Sequence, residues 1–295
     1  MGNGKLGAKE LARYRIEDGH GFRLADHDPA THDLESKDEA QELLASGVRE
    51  LAKYQERLHA QDRWSVLVVL QAMDAAGKDG TIEHVMSGVN PAGVHVTSFK
   101  APSEEERDHD WMWRHWKALP ERGRIGIFNR SHYEEVIVVR VHERLLAAQK
   151  IPRDLVGEKV FEERLRDIAH FEDFLARNGT RILKFFLHVS RDEQKKRFLE
   201  RLDEPGKNWK FAVGDVRERQ HWDAYHAAYE DAIRRTATPR APWYVVPADK
   251  KWFTRLVVAG AIELELESID LSLPPPTPER TAALRAARLE LESEG

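Results

Sequence analysis

Residues 64–81 read WSVLVVLQAMDAAGKDGT, an apolar run that breaks into a loop of small residues and then starts a helix. Val66 to Leu70, all apolar, have the pattern of a strand buried on both faces of a parallel sheet. Asp74 to Lys78 then turn the chain. A phosphate-binding loop needs small residues so that backbone N–H groups can approach phosphate oxygens. It also needs a lysine where the next helix begins, because dipole and ammonium there both favour an anion. Ala75, Ala76, Gly77 and Lys78 meet these needs, and Asp79, Gly80 and Thr81 follow as the first helical turn. Two positions depart from the pattern G-x-x-x-x-G-K-[ST]. Ala72 replaces the first glycine, and Asp79 replaces the metal-binding hydroxyl, which leaves Thr81 or a carboxylate for that task. Asp74 is the candidate carboxylate.

A chain of 295 residues can form one large α/β domain or two small ones. The single strand–loop–helix signal favours one domain with helical additions. Cysteine is absent, which excludes disulfides and thiolate-bound zinc and suits a reducing compartment. No apolar run approaches membrane-spanning length. The opening MGNGKLG lacks the apolar core of a signal peptide, and Leu6 stands where a myristoylation motif has Ser or Thr, so a cytoplasmic location is expected. A net charge of -5 argues against general nucleic-acid binding. Any polyanion must therefore meet a local basic surface.

Residues 1–35 are polar and without helical period, and they read as an extended arm. Residues 36–270 form the expected catalytic domain, and 271–295 a Pro-rich linker with a helical tail. Ser36 caps an amphipathic helix carrying Leu43, Leu44, Val48, Leu51, Tyr54 and Leu58. Strands are expected at 94–99, 124–128, 181–189 and 243–247. Helices are expected after the phosphate loop, after Ser103, over 153–176, after Ser190, over 215–235 and from about 250. Trp111, Trp113 and Trp116 cluster on one helix and read as packing rather than as a base-stacking surface.

The strand at 124–128 delivers Asn129-Arg130-Ser131-His132-Tyr133-Glu134-Glu135 at its C-terminal end, where open α/β sheets bind ligands. P-loop enzymes carry a magnesium-binding aspartate at that strand end, and here Asn129 takes the place. Arg130 is then a cation for phosphate, and Glu134 a carboxylate for metal or substrate. Arg191, Lys195, Lys196, Arg197, Arg201, Lys207 and Lys210 crowd the segment after the fourth strand, read as a lid over about 190–214. Lys117, Arg122, Arg124 and Arg130 are expected near the same sheet edge, where with Arg191 to Lys210 they would form a groove for a polyanion.

The segments MDAAGKDGTI, FNRSHYEEV, KFFLHVSRDEQKKRFLERL, KNWKF and APWYVVPADKKW together resemble the polyphosphate kinase 2 family, over roughly Val66 to Phe253. The resemblance implies a thymidylate-kinase-like P-loop fold of three layers, with a central parallel sheet, a helical lid and added terminal helices. It implies phosphoryl transfer between inorganic polyphosphate and ADP, AMP or ATP with Mg²⁺, for which Mn²⁺ can substitute, and possible homo-oligomers. It assigns Asp74 and Lys78 to the Walker A loop, Asn129 and Arg130 to the Walker B segment and Arg191 to Lys210 to the lid. Lys78 and the lid arginines would hold the transferring phosphoryl group, and Asp74, with Glu134 or Glu135, the magnesium or the acceptor phosphate. Phe128 to Glu134, FNRSHYE, matches members of the family's third class, which take AMP through ADP to ATP. Glu135 departs from the aspartate usual there. Two other readings of the same residues are an ATP-dependent nucleoside monophosphate kinase and a nucleotide-sensing module without turnover.

Overall fold

The computed structural model describes residues 6–32, 34, 36–206, 208, 211 and 213–294. Six strands form one sheet: β1 Arg15–Ile16, β2 Ser65–Ala72, β3 Val94–Ser98, β4 Ile125–Asn129, β5 Thr180–His188 and β6 Trp243–Pro247. Their order is β1-β6-β5-β2-β4-β3. All pairs are parallel except β1 with β6. β2 is central and buried along its whole length, as its unbroken apolar run requires. From β2 the sheet grows one way to β4 and β3 and the other way to β5 and β6. The loop after β2 therefore opens at the point where strand order diverges, the position at which α/β sheets bind ligands.

Seven helices of eight or more residues are described: α1 Lys37–Gln61, α2 Lys78–Val85, α3 Val160–Arg177, α4 Arg191–Asp203, α5 Trp222–Thr236, α6 Lys251–Ser268 and α7 Pro278–Ser293. α1, α2 and α6 pack together on one face of the sheet, and α3 packs on the other against β5 and α5. α1 begins where the Ser36 hydroxyl accepts from Glu39 N, and it ends at Asp62 in left-handed conformation. Its buried face carries Val48, Leu51 and Leu58. Ser190 caps α4 by accepting from Glu193 N, but the reciprocal half of the capping box is absent. Ser190 N donates instead to Asp249 Oδ1 at 2.8 Å. The expected helix over 215–235 is interrupted, with a short helix Val213–Glu218 and a 3₁₀ turn Arg219–His221 preceding α5. α7 buries none of its residues. Among the described residues no helix is long and apolar enough to cross a membrane.

The first segment differs from a simple extended arm. Ala8–Leu11 is a short helix, β1 pairs antiparallel with β6, and Val245 N donates to Tyr14 O at 2.8 Å. Leu6, Leu11, Tyr14, Phe22, Leu24 and Leu34 belong to the main core. Glu230 Oε2 accepts from Leu24 N, and Arg234 Nε donates to Phe22 O, so α5 fastens the segment along its length. Its apolar residues are spaced without helical or strand period, because each fills a separate gap in a surface already built by β6, α5 and α6. Leu11 is fully buried whereas Leu284 on α7 is half exposed. Leu11→Ala should therefore cost about 2–5 kcal/mol in urea denaturation, and Leu284→Ala less than about 0.5 kcal/mol.

Candidate active site

The loop between β2 and α2 is shaped by two left-handed residues, Ala75 at φ 60° and Gly77 at φ 107°. Alternation of left- and right-handed residues turns successive N–H groups toward one concave face, which is an anion nest. Space around Gly77 is open, so its glycine is required by backbone conformation and not by crowding. Ala75 tolerates the same region only because its surroundings hold it there.

α4 does the holding. Arg197 is buried, and its guanidinium donates to Ala75 O (3.0 Å), Ala76 O (2.9 Å), Ala248 O (2.6 Å) and Asp249 O (3.2 Å) while Nε donates to Glu193 (3.0 Å). Gln194 adds a bond from Nε2 to Asp74 O at 2.9 Å. Three successive loop carbonyls, those of Asp74, Ala75 and Ala76, are thus engaged by one helix. Arg197 has no N–H left for a phosphate. Its expected role as a lid arginine is corrected: it is a fixed brace beneath the loop. Arg197 and, one turn further along, Arg201 both border the cleft, Arg197 with its N–H groups already committed to the protein.

Lys78 Nζ donates to Ala72 O at 2.8 Å. Burial holds its pKa below the ordinary lysine value, against the pull of Asp74, Glu134 and Asp79. Asn129, opposite Leu70 in the β2–β4 register, donates from Nδ2 to Asp79 Oδ1 at 2.6 Å. Asp79 in place of the hydroxyl and Asn129 in place of the strand-end aspartate therefore compensate each other, with the carboxylate moved to the helix and a neutral amide left on the strand. Thr81 is buried and its hydroxyl donates to Gly77 O. Asp74, paired with Arg130, is the loop carboxylate that could also hold a metal.

Arg130 follows β4 with φ 62° and brings its guanidinium to 3.4 Å from Asp74 Oδ1. Burial opposes its charge, yet Glu134 and Asp74 together hold its pKa above the ordinary value. Burial also raises the Glu134 pKa, only partly offset by Arg130 and Lys78. Gln71, with its amide oriented to satisfy both neighbours, donates to Glu134 Oε1 at 2.8 Å and accepts from the Ser131 hydroxyl. Glu135 points the other way. It is buried between Arg164 and Arg114 and accepts from Gln149 at 2.6 Å, so its expected place beside magnesium or the acceptor phosphate is corrected.

The phosphate loop floors a cleft of about 670 Å³ whose walls carry Lys78, Lys100, Arg130, Arg201, Lys251 and Arg255. A second compartment of about 260 Å³ adjoins it, walled by Tyr225, Tyr229, Val138 and Leu145 on one hand and by Glu134, Arg144, Glu218 and Arg219 on the other. Both share Asp74 and Arg130. Lys100, Lys251 and Arg255 escaped the reading of the sequence. Lys251 and Arg255 did leave a trace, since two cations four residues apart in the opening turns of a helix oppose its dipole unless an anion binds there. Several expected contributors lie elsewhere. Lys117 sits 4.0 Å above the Trp113 ring, and Arg122 bonds Asn178 O. Arg122 and Arg124 precede β4 and so lie at the end of the sheet away from the loop. Arg191 is exposed on the first turn of α4, its carbonyl accepting from Arg219. Lys207 and Lys210 lie outside the described residues.

A parallel sheet with a phosphate nest at its divergence point, facing an arginine and a carboxylate across a cation-lined cleft, defines the class as a P-loop kinase fold. The family model for Polyphosphate kinase 2 matches residues 34–272, and the chain belongs to that family. It is 51% identical over 258 residues to an ADP-polyphosphate phosphotransferase of Rhodopseudomonas palustris, covering 87% of this chain and 89% of the relative. It is 48% identical over 268 residues to an AMP/ADP-polyphosphate phosphotransferase of Meiothermus ruber, covering 90% and 96%. The crystal structure of Polyphosphate Kinase 2 from Arthrobacter aurescens TC1 superposes with a TM-score of 0.88 at 40% identity, over 97% of this chain and 99% of that one.

Arg197→Ala should lower stability by about 3 kcal/mol in urea, since it strips charged donors from buried carbonyls. Arg201→Ala should leave stability within about 0.5 kcal/mol and reduce turnover instead. The Glu134 carboxylate, raised above the ordinary 4.5, should appear as an acid limb in kcat/KM at a pKa above that value, with activity lost as pH falls through it. In Glu134→Gln that limb should vanish from the pH profile.

Proposed function

We propose that this chain transfers a phosphoryl group between inorganic polyphosphate and ADP or AMP, making ATP, in the cytoplasm. Membership in the polyphosphate kinase 2 family makes it a phosphotransferase acting on polyphosphate. The observation that carries the finer reading is the junction of two unlike compartments at Asp74 and Arg130. Polyphosphate has neither base nor ribose, so closely spaced cations suffice for it, and the larger cleft supplies them. The nucleotide acceptor takes the smaller compartment, where Tyr225 and Tyr229 offer apolar surface. Its terminal phosphate then faces Arg130 at the shared boundary. An ATP donor would need a base site beside the phosphate loop, and the cations there do not call for one. The FNRSHYE segment and the relative named for both AMP and ADP support acceptance of either nucleotide.

Transfer proceeds in line, without a covalent intermediate, by positioning and charge neutralisation. The nest N–H groups and Lys78 receive the phosphoryl oxygens, and Arg130 aligns the acceptor. Glu134 holds Arg130 and takes the acceptor's proton where one is present. Magnesium, with manganese as substitute, fits the hard oxygen chemistry of the half-buried Asp74 carboxylate. Among the described residues no group of three His, Cys, Asp or Glu could hold a metal alone, so Asp74 would bind it jointly with substrate phosphates. When bound, the ion supplies charge neutralisation between adjacent phosphates.

The test gives purified protein Mg²⁺ and ADP or AMP with either polyphosphate or a second nucleotide as donor, at two salt concentrations. ATP should form from polyphosphate, and its apparent affinity should fall steeply with salt while that of the nucleotide falls less. Lys78→Ala should keep its circular dichroism spectrum and lose more than about tenfold in rate, equivalent to ~1.4 kcal/mol of transition-state stabilisation. Turnover from ATP and AMP with none from polyphosphate would overturn the reading.

A further inference from the structure

Behind the turn that carries Arg130 and Glu134 lies a polar network with no access to the cleft. Lys184 on β5 is fully buried, as is Glu172 on α3 within 1%. Lys184 Nζ donates to Glu172 Oε2 (2.5 Å), Thr236 O (2.7 Å) and the Tyr133 hydroxyl (3.2 Å), which satisfies all three ammonium hydrogens. Tyr133 Oη lies 2.8 Å from Glu172 Oε1, to which it donates, and 2.9 Å from Thr236 Oγ1. His132 Nε2 faces the same Glu172 oxygen at 3.4 Å. Trp243 Nε1 on β6 donates to Thr236 Oγ1 at 2.9 Å. Five elements, β5, β6, α3, α5 and the turn after β4, therefore converge on one carboxylate and one ammonium.

An arrangement of this kind is a poor choice for stability alone. Taking two charges out of water is costly, and apolar side chains of similar volume commonly serve as well or better. What it does supply is direction, because each bond fixes an angle that dispersion contacts leave free. The residues so fixed are His132 and Tyr133, which lie between Arg130 and Glu134 in a turn that starts from a left-handed arginine. The helix fixed at its C-terminal end through Thr236, α5, carries Tyr225 and Tyr229 on the compartment wall.

We propose that the buried Lys184–Glu172–Tyr133 network is a positioning device for the reaction. It sets the arginine–glutamate turn and the tyrosine wall of the smaller compartment in register with each other. The inference rests on the assignment of Arg130 and Glu134 to the site. None of the network residues touches substrate. A displacement of Arg130 by about 1 Å can cost on the order of 100-fold in rate, so a small relaxation of the turn should be visible in turnover before it is visible in folding.

Two variants separate positioning from bulk stability, with kcat and KM measured for polyphosphate and for ADP well below the melting midpoint. Tyr133→Phe removes one oxygen and keeps the ring. It should lower kcat about tenfold, with KM for polyphosphate within about twofold because the phosphate loop is untouched. The double variant Glu172→Leu/Lys184→Met removes both charges together. It should melt near the wild type yet keep the reduced kcat, whereas Lys184→Met alone should melt early. If both Tyr133→Phe and the double variant turn over at wild-type kcat, the network is structural only and the inference fails. Arg130→Ala measured beside them isolates the underlying assignment: wild-type kcat in that variant would overturn the site reading itself, and the inference with it. If the double variant does not fold, Tyr133→Phe alone decides.

Discussion

The site depends on one side chain whose N–H groups are all spent within the protein. Arg197 reaches across from α4 and places donors on Ala75, Ala76, Ala248 and Asp249 carbonyls, and Glu193 balances its charge. Each bonded carbonyl points down toward the guanidinium. Ala76 N is turned back to Met73 O at 3.3 Å, and the left-handed residues on either side of Ala76 give the remaining loop the concave shape of an anion nest. An alanine in left-handed conformation is tolerable only under such restraint. The same guanidinium joins the loop after β2 to the loop after β6, so the two chain segments that border the cleft move together or not at all.

Charge follows the same economy of placement. The protein as a whole is acidic, yet the cleft gathers cations from five segments far apart in sequence. Asp79 and Asn129 exchange the usual positions of carboxylate and neutral partner while remaining 2.6 Å apart. Arg130 and Glu134 are mutually stabilising in opposite senses, the arginine held charged and the carboxylate pushed toward a higher pKa by its burial. Together these features put a compact, partly desolvated set of charges at the boundary between two compartments, where electrostatic effects on a transferring phosphoryl group are strongest.

How much of this could be read beforehand varied with the kind of signal. β2, β4, β5 and β6 were legible because strands buried on both faces leave short, largely apolar runs, interrupted in β5 by Lys184. The loop was legible because small residues and a lysine must lie next to each other in sequence. Glu134 and Glu135 were not separable, since neighbouring residues in a 3₁₀ turn are rotated by about 120° and nothing in the string says which faces the cleft. Arg197 looked like any other cation in a basic helix. Only the buried Gln194 and Phe198 beside it mark the face that turns inward. Arg122 was misplaced because nearness to a strand in sequence does not say which end of the strand is near. The described residues between 6 and 34 hid their packing because isolated apolar residues, filling gaps one at a time, generate no period.

The two-residue strand β1 covers the edge of β6. Beneath it runs Trp243-Tyr244-Val245-Val246, aromatic and β-branched residues in extended conformation, with proline only at either end, Pro242 and Pro247. A row of free backbone donors and acceptors on such a segment is a template for another chain. Removal of β1 together with the core residues that anchor it, Leu11 and Tyr14, would strip that cover. The result would be an adhesive molecule as well as a weaker one, joining its neighbours strand to strand, so the few residues ahead of the catalytic domain also serve as its guard against aggregation.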